Sequence, residues 1–118
     1  MNEIENLVIK NLLLNEDYVR KALPFIKSEY FADITGRKIF DIASKYFIEY
    51  SALPTKEALT IEVGQINDIS DDQHKQIVDA ISKIDNEESE HEWILDTTEK
   101  WCKERALYLA LMSSIKIA

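Results

Sequence analysis

Apolar residues recur at three- and four-residue intervals along nearly the whole chain, the pattern of α-helices that share one core. Ile4, Leu7, Val8 and Leu12 keep that spacing over about residues 3–14. Asn15 then stands where an N-cap is needed, with Glu16 and Asp17 in the following turn, where negative charge suits the helix dipole. The helix opened there turns Tyr18, Val19, Ala22 and Leu23 inward and ends near Pro24. Ser28-Glu29-Tyr30-Phe31 reads as one short turn that delivers two aromatics to the core.

The third helix carries the strongest periodicity. Ile39, Phe40, Ala43, Tyr46, Phe47 and Tyr50 fall on one side, four of them aromatic. Ser51-Ala52-Leu53-Pro54 is a loop, and Thr55 caps a fourth helix with Ala58, Leu59, Val63 and Ile66 inward. Ser70-Asp71-Asp72-Gln73 has the form of a capping box. It opens a fifth helix that is expected to bury Ile77, Val78, Ile81 and Ile84. After an acidic connector over 85–89, a last helix runs from about Glu90 to the chain end. The pattern thus predicts an all-α protein of six helices and no strand, with a helical head over residues 1–90 and one long helix over 91–118.

That last helix is unlike the others. From Arg105 to Ala118 it is apolar on nearly every face and holds no Gly, Asn or Pro to end it. A helix on the surface of a monomer shows one apolar stripe and one polar face, so this one needs cover from more than one side. At 1.5 Å per residue it is about 40 Å long, against a radius of gyration of about 13 Å for a domain of this size. Its first half, with Trp93, Ile94, Trp101 and Cys102, is expected to pack on the head. Its second half is expected to project, with Tyr108, Leu109, Met112 and Ile115 as an exposed stripe and Arg105 in line with it. Arg105 either sets register against an acidic partner or stands solvated.

Composition sharpens this picture mainly by exclusion. A chain of 118 residues holds one core, and two Gly with two Pro leave little room for turns. One cysteine excludes a disulfide framework and fits a reducing cytoplasm. No run approaches the roughly 20 apolar residues that span a bilayer, and Met1-Asn2-Glu3 lacks the basic start of a signal peptide. Residues 1–60 carry eight Lys/Arg and nine Asp/Glu, a balance of −1; residues 61–118 carry six and thirteen, a balance of −7. Nucleic-acid binding rests on cations that neutralise phosphates, so strong direct binding of DNA is not expected. A basic partner protein is compatible with the acidic half, as is a face kept soluble by its charge.

No catalytic, cofactor-binding or metal-binding set emerges from the residues. Gly36 and Gly64 are too far apart for a phosphate-binding loop, and Ile39 follows Gly36-Arg37-Lys38 where a metal-coordinating Ser or Thr belongs. His74, His91 and Cys102 do not have zinc-site spacing. Both histidines read as surface groups and Cys102 as a small buried apolar residue. Asp71-Asp72 and Glu87-Glu88 are explained by helix starts.

Several segments taken in order resemble the N-terminal domain of DnaB-type replicative helicases. They are Glu5-Asn6-Leu7-Val8-Ile9 with Leu12-Leu13-Leu14, Tyr30-Phe31 with Arg37-Lys38-Ile39-Phe40, and Glu99-Lys100 with Glu104-Arg105-Ala106. Within that family, Ser28-Glu29-Tyr30-Phe31, Glu49-Tyr50 with Pro54 and Ala58-Leu59, and Trp93 with Thr98-Glu99-Lys100 and Arg105-Ala106 resemble the ring helicase of T-even-like bacteriophages. The similarity covers essentially the whole chain.

The resemblance implies a helical head followed by a helical hairpin. It implies self-association into a hexameric collar, often a trimer of dimers, on a ring of motor domains that unwind DNA 5′ to 3′. Primase and a helicase loader are the implied partners, and the host cytoplasm the implied location. ATP and Mg²⁺ would belong to the motor, whose phosphate-binding motif this sequence does not contain. The second hairpin helix is expected to lie beyond Ala118. Trp101, Arg105, Tyr108, Leu109, Met112 and Ile115 are the residues this places at the oligomer interface. Two alternatives stand beside it: the helicase-binding domain of a primase, which resembles the same head, and a stand-alone helical phage adaptor.

Overall fold

The computed structural model describes residues 1–117, apart from the side chains of residues 116 and 117. Among the described residues there are six α-helices and no strand: α1 (Glu3–Leu14), α2 (Glu16–Ala22), α3 (Ile34–Tyr50), α4 (Lys56–Gly64), α5 (Asp71–Ser82) and α6 (His91–Ile117). Short 3₁₀ turns at Leu23–Phe25 and Ser28–Tyr30 connect α2 to α3. The expectation that the last helix reaches Ala118 falls on a residue outside the described ones.

Helix starts are set by local side-chain chemistry. Asn2 and Glu5 form a capping box on α1: Glu5 N–H donates to Asn2 Oδ1 at 2.9 Å, and Asn2 N–H donates to the Glu5 carboxylate at 3.4 Å. Asn15 ends α1 and begins α2, its Oδ1 accepting from Tyr18 N–H at 3.0 Å. Thr55 caps α4, and Ser70 with Gln73 forms the second capping box on α5. Two caps escape a pattern search. Asp33 Oδ1 accepts from Gly36 N–H at 3.0 Å to open α3, and the Glu90 carboxylate accepts from Trp93 N–H at 2.7 Å to open α6. Ser51, in the left-handed region at φ 52°, ends α3.

One core runs through the molecule. Val8, Ile9, Leu12 and Leu13 of α1, Tyr18, Val19 and Ala22 of α2, and Tyr30 and Phe31 between helices meet Ile39, Phe40 and Ala43 of α3. Leu59, Val63, Ile77 and Ile81 close it on one side, Ile94, Trp101 and Cys102 on the other. α4 and α5 pack on each other and on α3; α6 packs on α1, α2 and the Ser28–Tyr30 turn.

Buried polar groups act as ties within this core. Glu5 is fully buried, and its Oε1 accepts from Ala32 N–H at 2.6 Å, which fixes the turn before α3 to the start of α1. Buried Tyr18 and Thr98 share a hydroxyl–hydroxyl hydrogen bond of 2.7 Å between α2 and α6. Burial raises the Tyr18 phenol above its ordinary pKa, so it stays neutral there. Gly36 is required by a close approach: a Cβ built on it would lie 2.8 Å from Phe31 Cδ1.

The helical phase is borne out for most core positions, and the exceptions have two causes. Phe47 is only half-buried and Tyr50 is exposed, because the last turns of α3 run past the elements that cover Phe40 and Ala43. Tyr46 and Tyr50 pack on each other there, ring centroids 4.7 Å apart, and Arg20 covers Phe47 at 5.5 Å. Val78 is 36% exposed rather than inward, since Ile77 and Ile81 occupy the inner line of α5. Trp93 is 49% exposed rather than packed on the head, because Ile94, next along α6, takes the inner position.

Two outcomes follow for stability. Phe40→Ala should cost about 3–5 kcal/mol in urea unfolding, as for other buried aromatics, while Tyr50→Ala should stay within about 0.5 kcal/mol. The second concerns acid. Burial opposes ionisation of Asp33, but the Gly36 N–H and the Met1 ammonium, 3.0 Å from Asp33 Oδ2, outweigh it and hold the carboxyl below its ordinary pKa. A depressed native pKa gives stability that is present above the unfolded-state value of about 3.9 and fades as pH falls through the native one. Asp33→Asn should therefore lower stability at pH 7 and flatten the decline below about pH 4, read by thermal unfolding across pH.

Candidate oligomer interface

The C-terminal half of α6 parts from the head over the turns that follow Cys102. Up to that point the helix is core: Ile94, Thr98, Trp101 and Cys102 are buried. Trp101 is the anchor. Its ring meets Phe31 edge-on at 5.0 Å and Tyr30 at 6.1 Å, and Phe31 in turn lies 5.4 Å from Phe40. Aromatic pairs of this geometry add about 0.5–1.5 kcal/mol each beyond the area they bury.

Past Cys102, Leu109 and Arg105 still engage the head. Leu109 packs half-buried against the core. Arg105 donates from Nε to the Tyr30 carbonyl at 2.6 Å, and its guanidinium lies 4.8 Å over the Tyr108 ring. Arg105 is therefore partly buried and engaged by the head through Nε. It clamps the helix to the Ser28–Tyr30 turn and holds Tyr108 by a cation–π contact.

Most of the other large apolar side chains described in this half are uncovered. Tyr108, Met112 and Ile115 are exposed, and so are Leu107, at 62%, and Leu111, at 56%. The sequence-expected set therefore divides. Tyr108, Met112 and Ile115 lie together on the open surface, Leu109 faces the head, and Trp101 is spent inside it. Leu107 and Leu111 were missed. Their signal was present in the sequence as a second i, i+4 pair beside Tyr108 and Met112, but an argument from a single stripe passes over it. Together the two pairs and Ile115 make an apolar surface too wide for one flank of a solvated helix, and surfaces of this kind mark interaction sites.

Burial pushes the Cys102 thiol up to about 11, so it is protonated at neutral pH and a poor nucleophile. His74 Nε2–H donates to the Ile66 carbonyl at 2.9 Å, while His91 Nε2 lies 3.0 Å from Asp17 Oδ2 without the angle of a hydrogen bond. Among the described residues, no three His, Cys, Asp or Glu side chains gather closely enough to hold a metal ion. No described helix is long and apolar enough to cross a membrane.

Comparison with known proteins gives an informative relative. The chain is 24% identical over 111 residues to the DnaB-like replicative helicase of Enterobacteria phage T4, an alignment covering 94% of this chain. The likeness to a DnaB-type helicase is borne out. The chain spans 23% of that relative's length. No family model matches the chain.

The division of α6 into anchor and open half predicts opposite mutational responses. Trp101→Ala should destabilise the monomer by about 3–5 kcal/mol. Leu107→Ser and Leu111→Ser should each change it by under about 0.5 kcal/mol, because neither side chain is buried in it. Chemical denaturation at a concentration where the chain is monomeric measures both.

Proposed function

We propose that this chain is the N-terminal collar and partner-binding domain of a hexameric replicative helicase. The observation that carries the reading is the uncovered apolar half of α6, rigidly continuous with a head whose sequence aligns with a replicative helicase along nearly its whole length. In this reading residues 1–90 are the head and residues 91–118 the first helix of a projecting hairpin, whose opening turns also close the head core. Neighbouring copies pack their α6 surfaces together, so that six domains make a collar. Closed rings of identical subunits need such self-complementary or head-to-tail patches.

The domain's part in the parent protein is assembly and contact, with primase and a loading protein as its partners. Nucleotide hydrolysis, with ATP and Mg²⁺, and DNA unwinding fall to a motor domain in the rest of the protein, and the site of action is the cytoplasm of the infected host. The acidic balance of residues 61–118 supports a protein-contacting role over direct DNA binding.

The test is made on the longer helicase protein that this reading requires. Tyr108→Asp combined with Met112→Asp should split the hexamer in sedimentation velocity and reduce primase-stimulated unwinding, while nucleotide binding by the motor persists. A hexamer undisturbed by both charges would remove these side chains from the subunit contact and overturn the reading of α6.

A further inference from the structure

The substantial helix contacts fall into two groups that share only α3. In one, α1, α2, the Ser28–Tyr30 turn and α6 pack on one another, with α1 and the turn also on α3. In the other, α4 and α5 pack on each other and on α3. A cleft of about 630 Å³ separates α5 from α1, lined by Leu7, Lys10, Ala80 and Ile84 among others. Exposed segments at 51–52 and 85–88 carry the chain into and out of the α4–α5 pair.

The two groups are held by different kinds of contact. The first has polar ties and aromatic rings: Glu5 to Ala32 N–H, Tyr18 to Thr98, Arg105 to the Tyr30 carbonyl, and Phe31 against Phe40 and Trp101. Asn11, fully buried, donates to Ser89 Oγ at 3.1 Å and fixes the point at which the chain rejoins this group. The α4–α5 pair brings four buried aliphatic side chains to the core, Leu59, Val63, Ile77 and Ile81. Among the described residues, two ion pairs reach its flanking loops from outside: Lys38–Asp68 at 3.3 Å and Lys10–Asp85 at 3.5 Å, each with an exposed carboxylate. Inside the pair, each helix start is tied to the other helix's end. His74 Nε2–H donates to the Ile66 carbonyl at 2.9 Å, and the Lys56 ammonium donates to the Ile84 carbonyl.

We propose that α4 and α5 open from α3 as one cooperative unit while the rest of the fold stays intact. Proteins open in contiguous units of this kind, drawn from the parts with the fewest ties to the remainder. Released from α3, helices of 9 and 12 residues are too short to persist in water, so the opening is a local unfolding of both. The cleft leaves little contact with α1 to break. Lys10 and Lys38 act as latches across the boundary, weak ones because their carboxylate partners are exposed. Opening uncovers the side of α3 that the pair occupied. It leaves Trp101 in place, and with it the direction of α6. One side of the domain can therefore rearrange without disturbing the other.

The test is native-state hydrogen exchange on the ¹⁵N-labelled chain, monomeric and in rising urea below its unfolding transition. The amides of α4 and α5 should share one opening free energy and one shallow urea dependence. Those of α1, and of α6 up to Cys102, should show a higher free energy and a steeper dependence, because their exchange exposes more surface. Ile94→Val thins the core where α6 is buried, away from the pair. It should speed exchange in α1 and α6 by about threefold or more and leave α4 and α5 unchanged, since Ile94 stays packed in the open state. Lys10→Gln with Lys38→Gln should speed exchange in α4 and α5 by about threefold or more. The proposal is overturned if α4 and α5 carry the same free energy and urea dependence as α1 and α6, or if the two exchange with separate dependences. Equal acceleration of every helix by Ile94→Val overturns it too, as does exchange in α4 and α5 indifferent to loss of both lysines.

Discussion

The contact between Trp101 and the Tyr30–Phe31 turn determines what the rest of the molecule can do. Without it α6 would be a long helix tethered at one end; with it, the helix is part of the head for its first turns and a fixed projection thereafter. The turn itself is held from below by Glu5 through the Ala32 N–H, and from the side by Phe40. The position of the projecting surface is therefore transmitted from the N-terminal end of α1, through one buried carboxylate and a chain of edge-on and tilted aromatic rings. Truncating any of these groups acts on the direction of α6 as well as on the stability of the core.

Much of this architecture is legible in the residues because the helices are short, well capped and strongly periodic. Asn15, Thr55 and Ser70 with Gln73 declare their helix starts by chemistry that needs no tertiary context, and the observed helices begin there. Periodicity fails where it has to decide depth rather than direction. Phe47 and Tyr50 keep the phase of Phe40, yet cover runs out along α3, and nothing local to those positions says where. Val78 and Trp93 are apolar residues adjacent to inner positions, and sequence alone does not rank a residue against its neighbour one step around the helix.

The open surface of α6 was legible as a surface but not in its membership. Trp101 and Leu109 share the apolar character of Tyr108 and Met112, and only the long-range packing of the head separates them. Arg105 shows the same limit from the polar side. Its partner is the carbonyl of Tyr30, 75 positions earlier, and a backbone carbonyl leaves no trace in a sequence. Glu5 belongs to the same class: as a capping-box residue it is local, and as the buried tie to Ala32 it is not.

Gly36 carries a consequence for how such a sequence can change over time. The ring of Phe31 occupies the space a Cβ would need, with Met1 Sδ 3.1 Å away on another side. Alanine at this position is thus blocked while Phe31 remains, and a smaller residue at position 31 leaves a void beside Trp101 while glycine remains. Each single step passes through a less stable protein, whereas both together restore contact. Positions 31 and 36 should therefore drift as a pair, and a lineage that has changed one without the other should carry its compensation in the ring of Trp101 or at the amino terminus.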